Sequence, residues 1–156
     1  MKLAKYRMLT LQELEELEKE FVEFLVINGV TVDDWERLRA SDDGNAIITA
    51  FSDVVFESIM RQTRFLEHWS PRAVKTFQCL SDKIILVGAD VKEGSSINLV
   101  EANSEQMVQH FGELEFYRSE KPYDSTRESV IYEMISSGCT ISDGQLFKKM
   151  LLAMVD

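Results

Sequence analysis

Residues 63–91 read TRFLEHWSPRAVKTFQCLSDKIILVGADV, the one region where strand-favouring residues come in successive runs with turn chemistry between them. Lys83–Val91 is apolar at Ile84, Leu86 and Gly88, and equally at Ile85, Val87, Ala89 and Val91. A strand apolar on both sides needs cover on both, so layers must flank the sheet it joins or the sheet must close tightly. Ser81-Asp82 offers a two-residue turn back to a strand over 74–80, and Pro71 limits a run over 65–69.

Helical spacing occupies the flanks. Thr10 opens the first helix with a capping box to Glu13, and Leu11, Leu14, Leu17, Phe21, Phe24 and Leu25 recur until Gly29 stops the run. Thr31 restarts a short helix with Asp33 and Asp34 in its first turn and Trp35 and Leu38 inward. Ser41-Asp42-Asp43-Gly44 breaks it as a turn and cap, since the alternating acids and closing Glu of a calcium loop are missing. A third helix carries Ile47, Ile48, Phe51, Val54, Val55, Ile59 and Met60 on a wide apolar face.

Beyond the strands, 97–101 is expected to be a short strand and 104–110 a brief helix, and 113–118 alternates as a half-exposed edge strand would. Two more capping boxes, Ser125 with Glu128 and Ser142 with Gln145, announce the last two helices. The final one holds Leu146, Phe147, Met150, Leu151, Leu152, Met154 and Val155, too much of its circumference for a single apolar stripe. It is expected to be covered on more than one side, in the core or at a homodimer contact. Helices and strands thus come in separate runs. The expectation is a single α+β domain over 1–156, with an N-terminal layer of three helices, a central mostly antiparallel sheet and two C-terminal helices.

Charge narrows the partners. The chain carries 17 Lys/Arg against 27 Asp/Glu, a net charge of −10. Residues 1–60 hold six basic and thirteen acidic side chains, so −7 of that total lies there. Such a surface repels nucleic acid and anionic membranes, so neither is an expected partner. Two cysteines sixty positions apart make no disulfide framework, the N-terminus lacks an apolar signal core, and no run is long enough for a membrane span. A cytoplasmic location is expected.

Chemistry is thinly signalled. GxSxG, GxxxxGK[ST] and GxGxxG are all missing, so no cofactor is expected. His68 and Cys79 flank the turn at Pro71, and strand pairing could set a thiol beside an imidazole, with Glu67 or Asp53 orienting the ring. The plainer reading makes Cys79 a core residue, alternating with Phe77 along a strand. Arg64 and Arg72, with Arg61 and Lys75, form a basic island that suits an anionic ligand or simple charge balance. Cys79, Cys139, His68 and His110 have the right types for zinc but no ligand spacing, and the Glu13, Glu16, Glu20, Glu23 row reads as a solvated helix face. No metal site is assigned.

The segments KYRMLTLQELEELEKEFVEFLVINGVTVDDWERL, FSDVVFESIM, FLEHWSP and KTFQC resemble a family of small uncharacterised proteins from Bacteroidetes bacteria, over roughly residues 4–90. The resemblance implies a cytoplasmic bacterial protein and brings no activity, cofactor or catalytic residue with it. Two functions remain on the residues alone. One is a non-enzymatic interaction or regulatory domain with an unknown protein partner. The other is a small enzyme or ligand-binding protein with a pocket around His68, Glu67, Cys79 and Arg64.

Overall fold

A computed structural model describes residues 5–102 and 106–155. The chain forms two compact units, Met1–Ile59 and Met60–Asp156.

The first unit is helical: α1 Leu11–Glu16, α2 Glu18–Ile27, α3 Val32–Leu38 and most of α4 Asp42–Gln62. The Thr10 capping box forms, with Thr10 Oγ1 accepting from Glu13 N–H and the Glu13 carboxylate accepting from Thr10 N–H. Arg7 grips that carboxylate with both guanidinium nitrogens at 2.7 and 2.8 Å. With the Thr10 contacts, it holds the Glu13 pKa down to about 2. The single helix expected from Thr10 to Gly29 is broken at Leu17, whose φ of −106° and ψ of 23° leave the helical region. Leu17 nonetheless packs with Leu9, Phe21, Leu25, Ile48 and Phe51 in the core of this unit. Around Phe21 stand Trp35, edge-on at 4.9 Å, and Phe51 at 5.0 Å.

Ser41 Oγ accepts from Gly44 N–H as a cap would, but Asp42, Asp43 and Gly44, expected in the turn, already belong to the first turn of α4. Glycine is required at 44 because a Cβ there would lie 2.2 Å from the Leu38 carbonyl oxygen. Buried Ser52 accepts from Leu9 N–H and donates to the Ile48 carbonyl, while Asp53 accepts the N–H groups of Lys5 and Tyr6. Val54 and Ile59, expected on the inward face of α4, are exposed.

The second unit is built on a five-stranded, wholly antiparallel sheet in the order β4-β3-β2-β1-β5. Its strands are β1 Phe65–Ser70, β2 Ala73–Cys79, β3 Lys83–Val91, β4 Leu114–Pro122 and β5 Thr140–Ser142. The Ser81-Asp82 turn is as expected, closed by Leu80 N–H donating to the Lys83 carbonyl. On one face Val74, Ile85, Val87 and Ala89 meet Leu146, Phe147 and Met150 of α6 Gln145–Ala153, joined by Leu99, Met107 and Leu114. The other face buries Leu66, Cys79 and Ile84, and α5 Arg127–Ser136 buries Ile131. At Gly88 that face is closed by Tyr117, whose ring a Cβ would meet at 2.4 Å. The two-sided apolar pattern of β3 is explained by this sandwiching.

Several boundaries differ from the sequence reading. Residues 97–101 are irregular and end in a turn over 99–101 with Leu99 fully buried, not a strand; the brief helix is a 3-10 segment, Gln106–Glu113, and Ser104 lies outside the described residues. The α5 cap is Thr126, accepting from Ser129 N–H, one residue after Ser125. Ser142 is no cap, because it pairs with Phe65 as the end of β5; Asp143 Oδ1 accepts from Gln145 N–H and Gly144 takes the N-cap position before α6. Gly144 has φ +85°, and a Cβ would lie 2.5 Å from the Phe65 ring. α6 has a buried side and a wet one, since Leu152 and Val155 are each 72% exposed. The intramolecular form of the expected cover fails there, because the sheet reaches only the Leu146, Phe147, Met150 side; the homodimer form concerns a second copy and is a separate question.

One side chain that the sequence did not single out ties the unit together. Arg127, in the first turn of α5, donates to the carbonyls of Met60 and Thr63 at the end of α4 and of Cys79 and Leu80 at the end of β2. Tyr123 Oη donates to the same Leu80 carbonyl at 2.7 Å. Arg127→Ala should destabilise the protein by roughly 2–4 kcal/mol in urea unfolding, since it strands buried acceptors. Arg127→Lys should recover only a minor part, because a point ammonium cannot span four carbonyls.

Candidate functional site

The β1–β2 hairpin decides which candidate side chains can meet. His68 pairs with Lys75 and Glu67 with Thr76, so successive residues of β1 point to opposite faces. Glu67 lies on the α6 face and accepts from the Trp69 indole N–H at 3.0 Å. It is on the wrong side of the sheet to orient the His68 ring. Asp53 is taken up by the Lys5 and Tyr6 amides.

Cys79 shares a face with His68 but not a neighbourhood. It lies four residues beyond Lys75, ~13 Å along the strand at the usual rise per residue. Its amide donates to the Arg64 carbonyl, at the far end of the hairpin from Pro71. Cys79 is 2% exposed, and burial pushes its thiol up to about 11, against the pull of Arg127. Such a thiol is a core group and holds its proton at neutral pH. The two arginines are also engaged. Arg64 donates to the Arg61 carbonyl at 2.7 Å, and Arg72 donates to the carbonyls of Ser95 and Ile97, clamping the turn after β3.

His68 has other company. It lines an open cleft of about 390 Å³ with Lys75, Phe77, Glu133, Met134, Ser137 and Cys139. A Schellman turn places the last of these. Gly138 N–H donates to the Ile135 carbonyl and Cys139 N–H to the Met134 carbonyl, with Gly138 at φ +114°. That turn ends α5 and sends the chain directly into β5 beside β1, so Cys139 arrives at the His68 end of the hairpin. Burial raises the Cys139 thiol, with Lys75 opposing. The cleft therefore presents an imidazole, an ammonium, a carboxylate and a protonated thiol around the apolar Phe77 and Met134. Those groups suit reversible binding of a small polar molecule better than nucleophilic attack.

Of the residues singled out in the sequence, only His68, Lys75 and Cys139 meet here. Glu133, Met134 and Ser137 carried no signal beyond membership of a helix. His110 is occupied with Glu113 at 3.1 Å, and among the described residues no group of three His, Cys, Asp or Glu side chains is placed to hold a metal ion. Nor, among them, is any helix long and apolar enough to cross a membrane.

A family model described as a family of unknown function, DUF6495, matches residues 1–155, and the chain belongs to that family. No curated protein and no solved structure matches it.

The two thiols should separate in a labelling experiment. Cys139 should react with a maleimide at neutral pH well before Cys79, which should react only on unfolding; mass spectrometry of the digested protein reads the order. Because the folded Cys79 thiol titrates above the unfolded one, stability should fall as pH rises from about 9 to about 11. Cys79→Ala should flatten that part of the profile.

Proposed function

We propose that this chain is a non-enzymatic protein-interaction or regulatory domain, working in the cytoplasm of Bacteroidetes bacteria, whose acidic helical unit meets a protein partner. The observation behind this reading is the surface of α2 and α3. Val26 is 65% exposed and Ile27 83%, with Val22 and Val32 exposed beside them in the chain. Val22 and Val26 stand one turn apart on one line of α2, and Glu18 continues that line. Apolar side chains among carboxylates suit a partner surface that is both apolar and basic.

Affinity purification of the full chain from its native cells tests it. A protein retained by the wild type should be lost from a Val26→Asp, Ile27→Asp double variant with an unchanged circular dichroism spectrum, and should wash off as salt rises. The same proteins retained by both forms at all salt concentrations would end this reading.

The cleft at His68 favours a second reading, a small-molecule binding protein. A carboxylate ligand that spans Lys75 and Phe77 should raise the melting temperature of the wild type and not of Lys75→Met. A panel of small carboxylates that produces no such Lys75-dependent shift would remove it.

A further inference from the structure

Among the described residues, no strand pairs with the outer edge of β4 in the sheet of the second unit. β4 runs nine residues, Leu114–Pro122, and pairs on one side with β3. The direction of its peptide groups follows from one bond. Lys92 N–H donates to the Glu113 carbonyl at 2.8 Å, so position 113 faces β3. Alternation then turns Glu115, Tyr117, Ser119 and Lys121 toward β3, and the N–H and C=O groups of Phe116, Arg118 and Glu120 outward. Pro122 falls on the outward set, where the lack of an N–H leaves the β3 ladder intact. Residues 118–122 are all exposed.

We propose that this edge pairs with the same edge of a second copy of this chain, antiparallel about a twofold axis at Ser119, joining two five-stranded sheets into one. Within its own chain Glu120 accepts from Lys83 at 3.2 Å and from Arg118 at 3.5 Å, all three exposed or at the rim of exposure, and across an edge pairing the same charges discriminate between occupants and registers. Antiparallel edges bond only when outward residues face outward residues, which limits the axis to a residue of the strand. With the axis at Ser119, Arg118 of each copy stands directly opposite Glu120 of the other. An axis at Arg118 or at Glu120 opposes like charges, and one at Tyr117 sets Arg118 against Phe116 and Glu120 against Leu114. Opposite charges directly across an antiparallel pair stabilise it and like charges oppose it. The strand is thus self-complementary in one register, as an isologous contact requires. This surface lies on the sheet and owes nothing to the α2 surface, so either reading can fail alone.

Sedimentation equilibrium of the full chain, run over a wide concentration range at physiological salt, tests the proposal. The wild type should be a dimer. Arg118→Glu and Glu120→Arg should each weaken it on the order of ten- to a hundredfold, since each creates two like-charge pairs. The double reversal, Arg118→Glu with Glu120→Arg, restores opposite charges and should regain the dimer. Arg118→Pro should give a folded monomer, because it removes an outward N–H and spares the bonds to β3. Both positions are exposed, and near-ultraviolet circular dichroism verifies that each variant is folded. A wild type that is monomeric throughout, a dimer indifferent to the single reversals, or a double reversal that stays as weak as the singles would overturn the proposal.

Discussion

The second unit depends on a guanidinium placed where backbone carbonyls converge. The carbonyls of Met60 and Thr63 at the end of α4 and those of Cys79 and Leu80 at the end of β2 all accept from Arg127. A helix C-terminus carries partial negative charge, so a cation there is favourable, and one planar fork can serve several acceptors at once. The placement has a cost, since Arg127 sits in the first turn of its own helix, where the dipole opposes a positive charge. Glu128, 3.6 Å from the guanidinium, offsets it. The residue thereby joins the end of α4, the β2–β3 hairpin and the start of α5.

From that join the placement of the cleft follows. With the start of α5 held at the Cys79 end of the hairpin, its last turn comes to the other end, where His68 and Lys75 are paired. The Schellman turn at Gly138 then carries Cys139 to the same place. Cys79, beside the arginine, is enclosed and keeps its proton. The two cysteines therefore differ because one is enclosed under the join and the other lines the open cleft.

Much of the fold was legible in the sequence. The two-sided apolar pattern of Lys83–Val91 required a covered central strand, Ser81-Asp82 marked a hairpin, and Thr10 with Glu13 located a helix start to the residue. These signals are local, or repeat with the period of the element that carries them. The misreadings share a cause. Ser142 has the spacing of a capping box, but three residues of β5 pair with β1 and the helix begins only after Gly144. Thr126 displaces Ser125 as the α5 cap, which sets Arg127 in the first turn with its carbonyls in reach. Leu152 is left uncovered by its own chain because the sheet spans only one side of α6.

The same division separates what the sequence by itself determined from what only the tertiary structure decided. Residue order alone set the α+β class, the central hairpins and the acidic, helical N-terminal layer, since each follows from periodicity, turn chemistry or a count of charges. It also made Glu67 and His68 neighbours in the chain, and strand geometry then put them on opposite faces. Which histidine meets which thiol was decided by register and by where α5 ends. His68 and Cys79 are eleven positions apart and lie at opposite ends of one hairpin, whereas Cys139, seventy-one positions from His68, shares its cleft. Proximity between side chains depends on register and on packed layers, and neither is carried by any single stretch of residues.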